Sequence, residues 1–214
     1  QPPLLVIAWD GKGYVLYGTI WCGEFLWLPA ESGFIRAAHL RTFPLPGGEQ
    51  AIKEPRRCAV GLLYECLGES VVDSARRTLR ERLDLAPVQS FLPAELSILK
   101  TMLQRGLNTP RTSSMGRLFD AIASLLGLCH RSSFEGQAAM QLEYAIDGQI
   151  NDANYPYLIH GEPLKFDYAP TIEAILQNLQ DRVSPAIISA TFHNTVVAGL
   201  VDIACRLRSQ YPEL

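Results

Sequence analysis

The chain has 214 residues, 48% of them hydrophobic and 19% charged, which fits a globular protein with one large domain or two small ones and a sizeable core. Nineteen Lys and Arg against 22 Asp and Glu give a net charge of -3, so the overall basic excess that drives binding to nucleic-acid phosphates is absent. The five cysteines are odd in number and contain no CxxC pair, which argues against a disulfide framework or a structural zinc site and for free thiols in a reducing cytoplasm.

Leu4 to Trp9 is a continuous apolar run, the pattern of a strand buried on both faces. Asp10-Gly11 and Gly13 supply turn chemistry, and Tyr14 to Ile20 and Trp21 to Leu28 are rich in β-branched and aromatic residues. With one more strand in "GFIRAAHLRTFPL", residues 1–50 read as an antiparallel meander. The stretch "FPLPGGEQAIKEPRR" has so many turn residues that it reads as a mobile loop over a site, or as a plain surface connection. Helices are predicted from Pro55 to about Leu67, over 73–83, and from Pro93 to a stop at Gly106. Leu118, Ile122, Leu125 and Leu126 mark the apolar stripe of the next helix, and Glu135 to Ile146 makes another. Residues 147–169 read as loop with at most one strand. Pro170 opens a helix through Leu179, and Ser184-Pro185, an N-cap followed by Pro at the first helical position, opens the longest, to about Arg208.

Strands therefore come first and helices after, and a three-stranded sheet is a small core for so many helices. No apolar run approaches the ~20 residues of a membrane span. Gln1-Pro2-Pro3 has no signal-peptide character and no initiator Met, so the chain is expected to be a piece of something longer.

Three stretches carry candidate chemistry. In "TPRTSSMGRLFDAIASLLGL" a small, polar, basic segment meets a helix start, where unpaired N–H groups and a partial positive charge attract anions. Ser113 and Ser114 add hydroxyls, Gly116 removes a side chain, and Arg111 and Arg117 add charge. Arg117, Asp120 and Ser124 share a face away from the apolar stripe, where Asp120 can accept hydrogen bonds from ribose hydroxyls. The plainer alternative is a Ser N-cap and a surface Arg–Asp pair. In "AWDGKG", Asp10 at the end of a strand can ligate a metal while the backbone of Gly11 and Gly13 faces phosphate, or the segment is only a hairpin turn. Glu135 and Gly136 stand at a helix start, as a ribose or base contact or as a carboxylate complementing the helix dipole. His39, His130, His160 and His193 have no metal-pair spacing, and His193-Asn194 lies within the longest helix.

Taken together, "VIAWDGKGYVLYGTIWCGEFL", "FPLPGGEQAIKEPRR", "RGLNTPRTSSMGRLFDAIASLLGL", "FEGQAAMQLE" and "ATFHNTVV" resemble, in order and across nearly the whole chain, the C-terminal domain of the HypF family. These are the carbamoyltransferases of NiFe hydrogenase maturation. The resemblance implies an α/β protein of the actin-like, sugar-kinase-like ATPase fold, similar to the threonylcarbamoyl-transferring tRNA enzymes. It implies that residues 1–214 are the central part of one catalytic domain, with the phosphate hairpin in 1–50 and a mainly helical nucleoside-binding part in 51–214.

By the same resemblance, Ser114, Gly116, Arg117 and Asp120 look like the adenylate-binding helix start. Glu135 and Gly136 look like a companion contact, and Asp10, with Gly11 and Gly13 beside it, like the ligand of a divalent metal (Mg, Fe or Zn). His193 and Asn194 match a family motif. The implied ligands are ATP or carbamoyl adenylate. The implied partners are a carbamoyl-adenylating domain and a HypE-type acceptor whose C-terminal cysteine takes the carbamoyl group, with neither nucleic acid nor membrane. The rival expectations are a tRNA-modifying transferase of the same fold and a non-catalytic docking module.

Overall fold

The computed structural model describes residues 3–9, 13–15, 18–30, 33–72 and 85–212. The predicted helix over 73–83 lies outside them, as do Asp10 and Gly11. Nine strands are described: β1 (Leu4–Ala8), β2 (Gly13–Val15), β3 (Thr19–Trp21), β4 (Glu24–Leu28), β5 (Ile35–Leu40), β6 (Phe43–Pro44), β7 (Arg111–Thr112), β8 (Leu158–His160) and β9 (Leu164–Asp167). The described helices are α1 (Glu49–Lys53), α2 (Pro55–Leu67), α3 (Ala86–Gln89), α4 (Pro93–Arg105), α5 (Met115–Leu125), α6 (Gln137–Tyr144), α7 (Ala169–Gln180) and α8 (Pro185–Gln210).

The strands form two sheets rather than one meander. The larger runs β1-β4-β5-β9-β8 and the smaller β2-β3-β7-β6. β1 pairs antiparallel with β4, Leu4 opposite Leu28, so the β2–β3 hairpin between them leaves for the other sheet. β1 is an edge strand with Leu4 and Ile7 exposed, not a strand buried on both faces. Residues 147–169, read as loop, return β8 and β9, and β9 joins β5 in parallel. Part of the sheet that the early strands lacked thus comes from late in the chain.

"FPLPGGEQAIKEPRR" is not a loop over a site. Phe43, Pro44, Leu45 and Pro46 are buried, α1 follows, and Glu54 receives hydrogen bonds from Gln50, Arg56 and Arg57. Arg56 stacks on the Phe91 ring at 3.9 Å. The prolines and glycines here shape a packed corner, because tight turns also serve where backbone must double back inside a core.

Helix boundaries agree well with the local signals. α2 begins at Pro55 and ends at Leu67. α4 begins at Pro93 and stops at Gly106, which is left-handed at φ 65°. The Ser184 side chain accepts from the Ile187 N–H at 3.4 Å at the start of α8. The core joins Phe25, Leu40 and Phe43 from the sheets to Leu62 of α2, Leu118 and Ile122 of α5, Ile172 and Ile175 of α7, and Phe192 of α8.

The expectation that no stretch approaches a membrane span needs correction. α8 is long and apolar enough to cross one by length and composition. Its Ser, Thr, His and Asn residues break up any continuous apolar run, which hides its mean hydropathy. Half of its most apolar window is buried, and inside it Ser189 and Thr195 donate to backbone carbonyls. It sits in this structure as a core helix.

Candidate functional site

The start of α5 is built by the bend between β3 and β4. β7 lies beside β3 in parallel, with Thr19 opposite Arg111, and delivers the chain directly into the helix. The Ser113 N–H donates to Ile20 O at 3.0 Å and the Met115 N–H to Cys22 O at 3.0 Å. The Ser114 N–H donates to Thr112 Oγ1 at 3.0 Å, and Ser114 Oγ accepts from the Arg117 N–H at 3.3 Å. The helix start expected to offer unpaired donors therefore spends most of them on its own chain. Gly116 is the opening. It is half-exposed, and a methyl group built there would meet nothing nearer than Ser114 Oγ at 3.7 Å.

Below this turn lies a buried cluster that the sequence reading did not single out. Glu24 is 1% exposed. Its Oε1 accepts from Ser113 Oγ at 2.5 Å and Arg36 Nη2 at 2.6 Å, and its Oε2 accepts from the Gly23 N–H at 2.8 Å. Arg36 also donates to Ser113 Oγ at 3.2 Å and lies 4.2 Å from the Trp21 ring centroid. Gly23 runs so close to α5 that an added Cβ would sit 2.0 Å from Ser113 O. Cys22, whose carbonyl holds Met115, has φ 153°, a region that side chains other than glycine's rarely adopt. One signal was present in the sequence: a lone carboxylate inside the apolar stretch "WCGEFLWL".

One turn into α5, Arg117 and Asp120 are also buried, which overturns the plainer alternative of a surface Arg–Asp pair. Arg117 Nη1 lies 2.7 Å from Asp120 Oδ2, close enough for an ion pair. The contact lacks the direction of a hydrogen bond, and Nη1, Nε and Oδ2 have none. The pair attracts through charge alone, and its facing atoms remain under-satisfied as hydrogen-bonding groups. Burial raises the Asp120 carboxyl to about 6, with Arg117 opposing. Asp120 therefore works inside the packing of α5, and removing it would disturb the fold. The expected shared face with Ser124 is internal too, where Ser124 Oγ meets His130 Nδ1 at 2.9 Å.

His193 is brought to α5 through Phe119, with ring centroids 5.2 Å apart and planes at 86°. Its Nδ1 lies 2.8 Å from Ser189 O, one turn back on α8. Asn194 is committed elsewhere, because its Nδ2 donates to Asn151 O at 2.6 Å and Ala153 O at 3.3 Å and so fastens that loop. Gly136 is the left-handed N-cap of α6 at φ 79°, and Glu135 before it is exposed. Arg111 points away, to Thr42 and Glu65. Gly13 opens β2, while the expected Asp10 and Gly11 contacts lie outside the described residues. Among the described residues, no three His, Cys, Asp or Glu side chains cluster as a metal site would need. Burial pushes the Cys66 thiol up to about 12 and Cys58 higher still, so neither is poised as a thiolate.

Against known proteins, residues 6–213 match the family model described as the second subdomain of a carbamoyltransferase Kae1-like domain. The chain is 41% identical to carbamoyltransferase HypF of Synechocystis over 210 residues, 95% of this chain and 27% of that protein. It is 30% identical to the probable carbamoyltransferase HypF of Methanocaldococcus jannaschii over 211 residues, 97% of this chain and 25% of that one. A crystal structure of full-length HypF in its phosphate- and nucleotide-bound form superimposes with a TM-score of 0.83 at 33% identity, covering 97% of this chain and 26% of the other. The chain thus spans about a quarter of the length of these relatives.

Proposed function

The chain belongs to the HypF carbamoyltransferase family, and from that premise we propose that it is the central part of a catalytic domain that carries a carbamoyl group from carbamoyl adenylate to a protein thiol in hydrogenase maturation. The observation that carries this is the match of residues 6–213 to a single carbamoyltransferase subdomain, with mixed sheets and helices in the same arrangement as HypF. We place it in the actin-like, sugar-kinase-like fold, with the nucleoside-binding part in 51–214.

In this reaction a thiolate sulfur attacks the carbamoyl carbon, a C–S bond forms, the C–O bond to phosphate breaks, and AMP leaves. The acceptor is a cysteine of a HypE-type partner. That fits a chain in which burial holds Cys58 and Cys66 protonated. Gly116 leaves room for the ligand to reach the first turn of α5, and the Phe119–His193 pair offers an aromatic edge one turn further on. A divalent metal would be held by Asp10 together with ligands from outside this chain, since no three His, Cys, Asp or Glu side chains cluster among the described residues; bound there, it would supply positive charge to the leaving phosphate.

The test is thermal unfolding of the full-length protein with and without AMP. At ~100 times its dissociation constant a ligand bound only by the folded state adds roughly 2.7 kcal/mol. Gly116→Trp, which fills the open space, should abolish that shift; an equal shift in the variant would remove α5 from the site.

The docking-module alternative gains from one observation: the donors of Ser113, Ser114, Met115 and Arg117 are already spent, and Asp120 is buried. Binding of the partner with no shift by AMP would favour it.

A further inference from the structure

Taking the adenylate role of α5 as its basis, we propose that Glu24, acting with Arg36, is a positioning residue that sets the first turn of α5 for the ligand. Four independent features meet at this joint. A 1%-exposed carboxylate uses both oxygens, on Ser113, Arg36 and the Gly23 N–H. Arg36 is itself held, over the Trp21 ring. The Gly23 backbone comes closer to Ser113 than any side chain would permit. Cys22 holds a glycine-like φ while its carbonyl receives the Met115 N–H.

Strained or over-determined backbone persists only where surrounding structure enforces it, and it concentrates at sites of function. Here the enforced element is the segment Ser113–Gly116. Glu24 touches no open space and cannot meet a ligand itself; it acts through Ser113. Because Ser113 immediately precedes the Ser114 cap and Gly116, a tilt of the Ser113 peptide re-aims the Gly116 N–H. Neutralising Glu24 while keeping its shape should therefore alter ligand affinity more than it alters the fold. Gln in its place presents an amide donor toward either the Arg36 guanidinium or the Gly23 N–H, so one of those donors loses its acceptor.

The experiment titrates AMP into the full-length protein, wild type and Glu24→Gln, with the thermal midpoint of each measured alongside. The expected result is at least a tenfold rise in Kd for Glu24→Gln at a temperature where it is fully folded. An unchanged Kd with a lowered midpoint would make Glu24 purely structural and overturn the inference. Should Glu24→Gln fail to fold, Ser113→Ala, which leaves the Glu24–Arg36 pair in place, decides: a threefold or greater rise in Kd supports positioning, and no change overturns it. A wild type that does not bind AMP at all would sink the functional proposal and this inference together. A wild type that binds while both variants match it would sink this inference alone.

Discussion

Glu24 and Asp120 are both buried carboxylates set against an arginine near the start of α5, and their surroundings differ sharply. Glu24 has every oxygen committed to a donor with good direction, one of them a charged guanidinium and one a backbone N–H. Asp120 has a single close approach from Arg117, and the facing atoms of both partners are left without a hydrogen bond. A buried charge is tolerable when the protein replaces the water it lost. The first cluster does so and can hold geometry. The second does so only in part, and burial moves the Asp120 carboxyl toward neutrality near pH 6.

Three experiments break or sharpen that contrast. The largest effect should come from Gly23→Ala. Its new Cβ would lie 2.0 Å from Ser113 O and 2.6 Å from Leu40 Cδ1, and the first of these is backbone that cannot swing aside. A loss of about 3 kcal/mol or more in urea unfolding is expected; a loss under about 1 kcal/mol would mean the joint is pliable and does not enforce geometry.

The second separates the two carboxylates by pH. The folded Asp120 titrates near 6 against 3.8 unperturbed, so between these values the folded state binds more protons than the unfolded one. Stability should then fall as pH rises through that window, by up to about 3 kcal/mol, and stay level above it. Asp120→Asn should lack this fall, so its unfolding free energy relative to wild type should rise between pH 4 and pH 7. Parallel profiles for the two proteins would show that Arg117 compensates Asp120 fully.

The smallest effect is Gly116→Ala. The position is helical, half-exposed and open, so a gain of about 0.5–1 kcal/mol is expected from the reduced freedom of the unfolded chain. The same methyl should weaken AMP affinity if the ligand approaches there. Thermal unfolding with and without AMP reads both, and a gain in stability with undiminished affinity would move the ligand elsewhere.

The candidate site was legible only in part. Ser114 as an N-cap and Gly116 as a gap could be read because capping chemistry is local. The burial of Asp120 was not legible, because an i, i+3, i+7 face off the apolar stripe does not reveal what packs over it; α5 is packed on nearly all sides, and Arg117 goes in with Asp120. Asn194 looked available, but its partners Asn151 and Ala153 lie about 40 residues earlier in the chain, beyond the reach of any spacing argument. Glu24 went unremarked for the same reason, since its partner Ser113 is 89 residues away.

What the sequence determined by itself is the position of the long helices. Pro55, Pro93 with Gly106, and Ser184-Pro185 set boundaries through hydrogen bonds within a few residues, and those do not depend on the rest of the molecule. The five ordered motifs likewise reached the family. Only the tertiary structure decided which strands pair, that β1 meets β4 and β5 meets β9, and which charges are buried. Strand partners and buried ion pairs are long-range choices. They depend on which backbone edges and which charges the whole chain brings together, and periodicity along one segment does not contain that information.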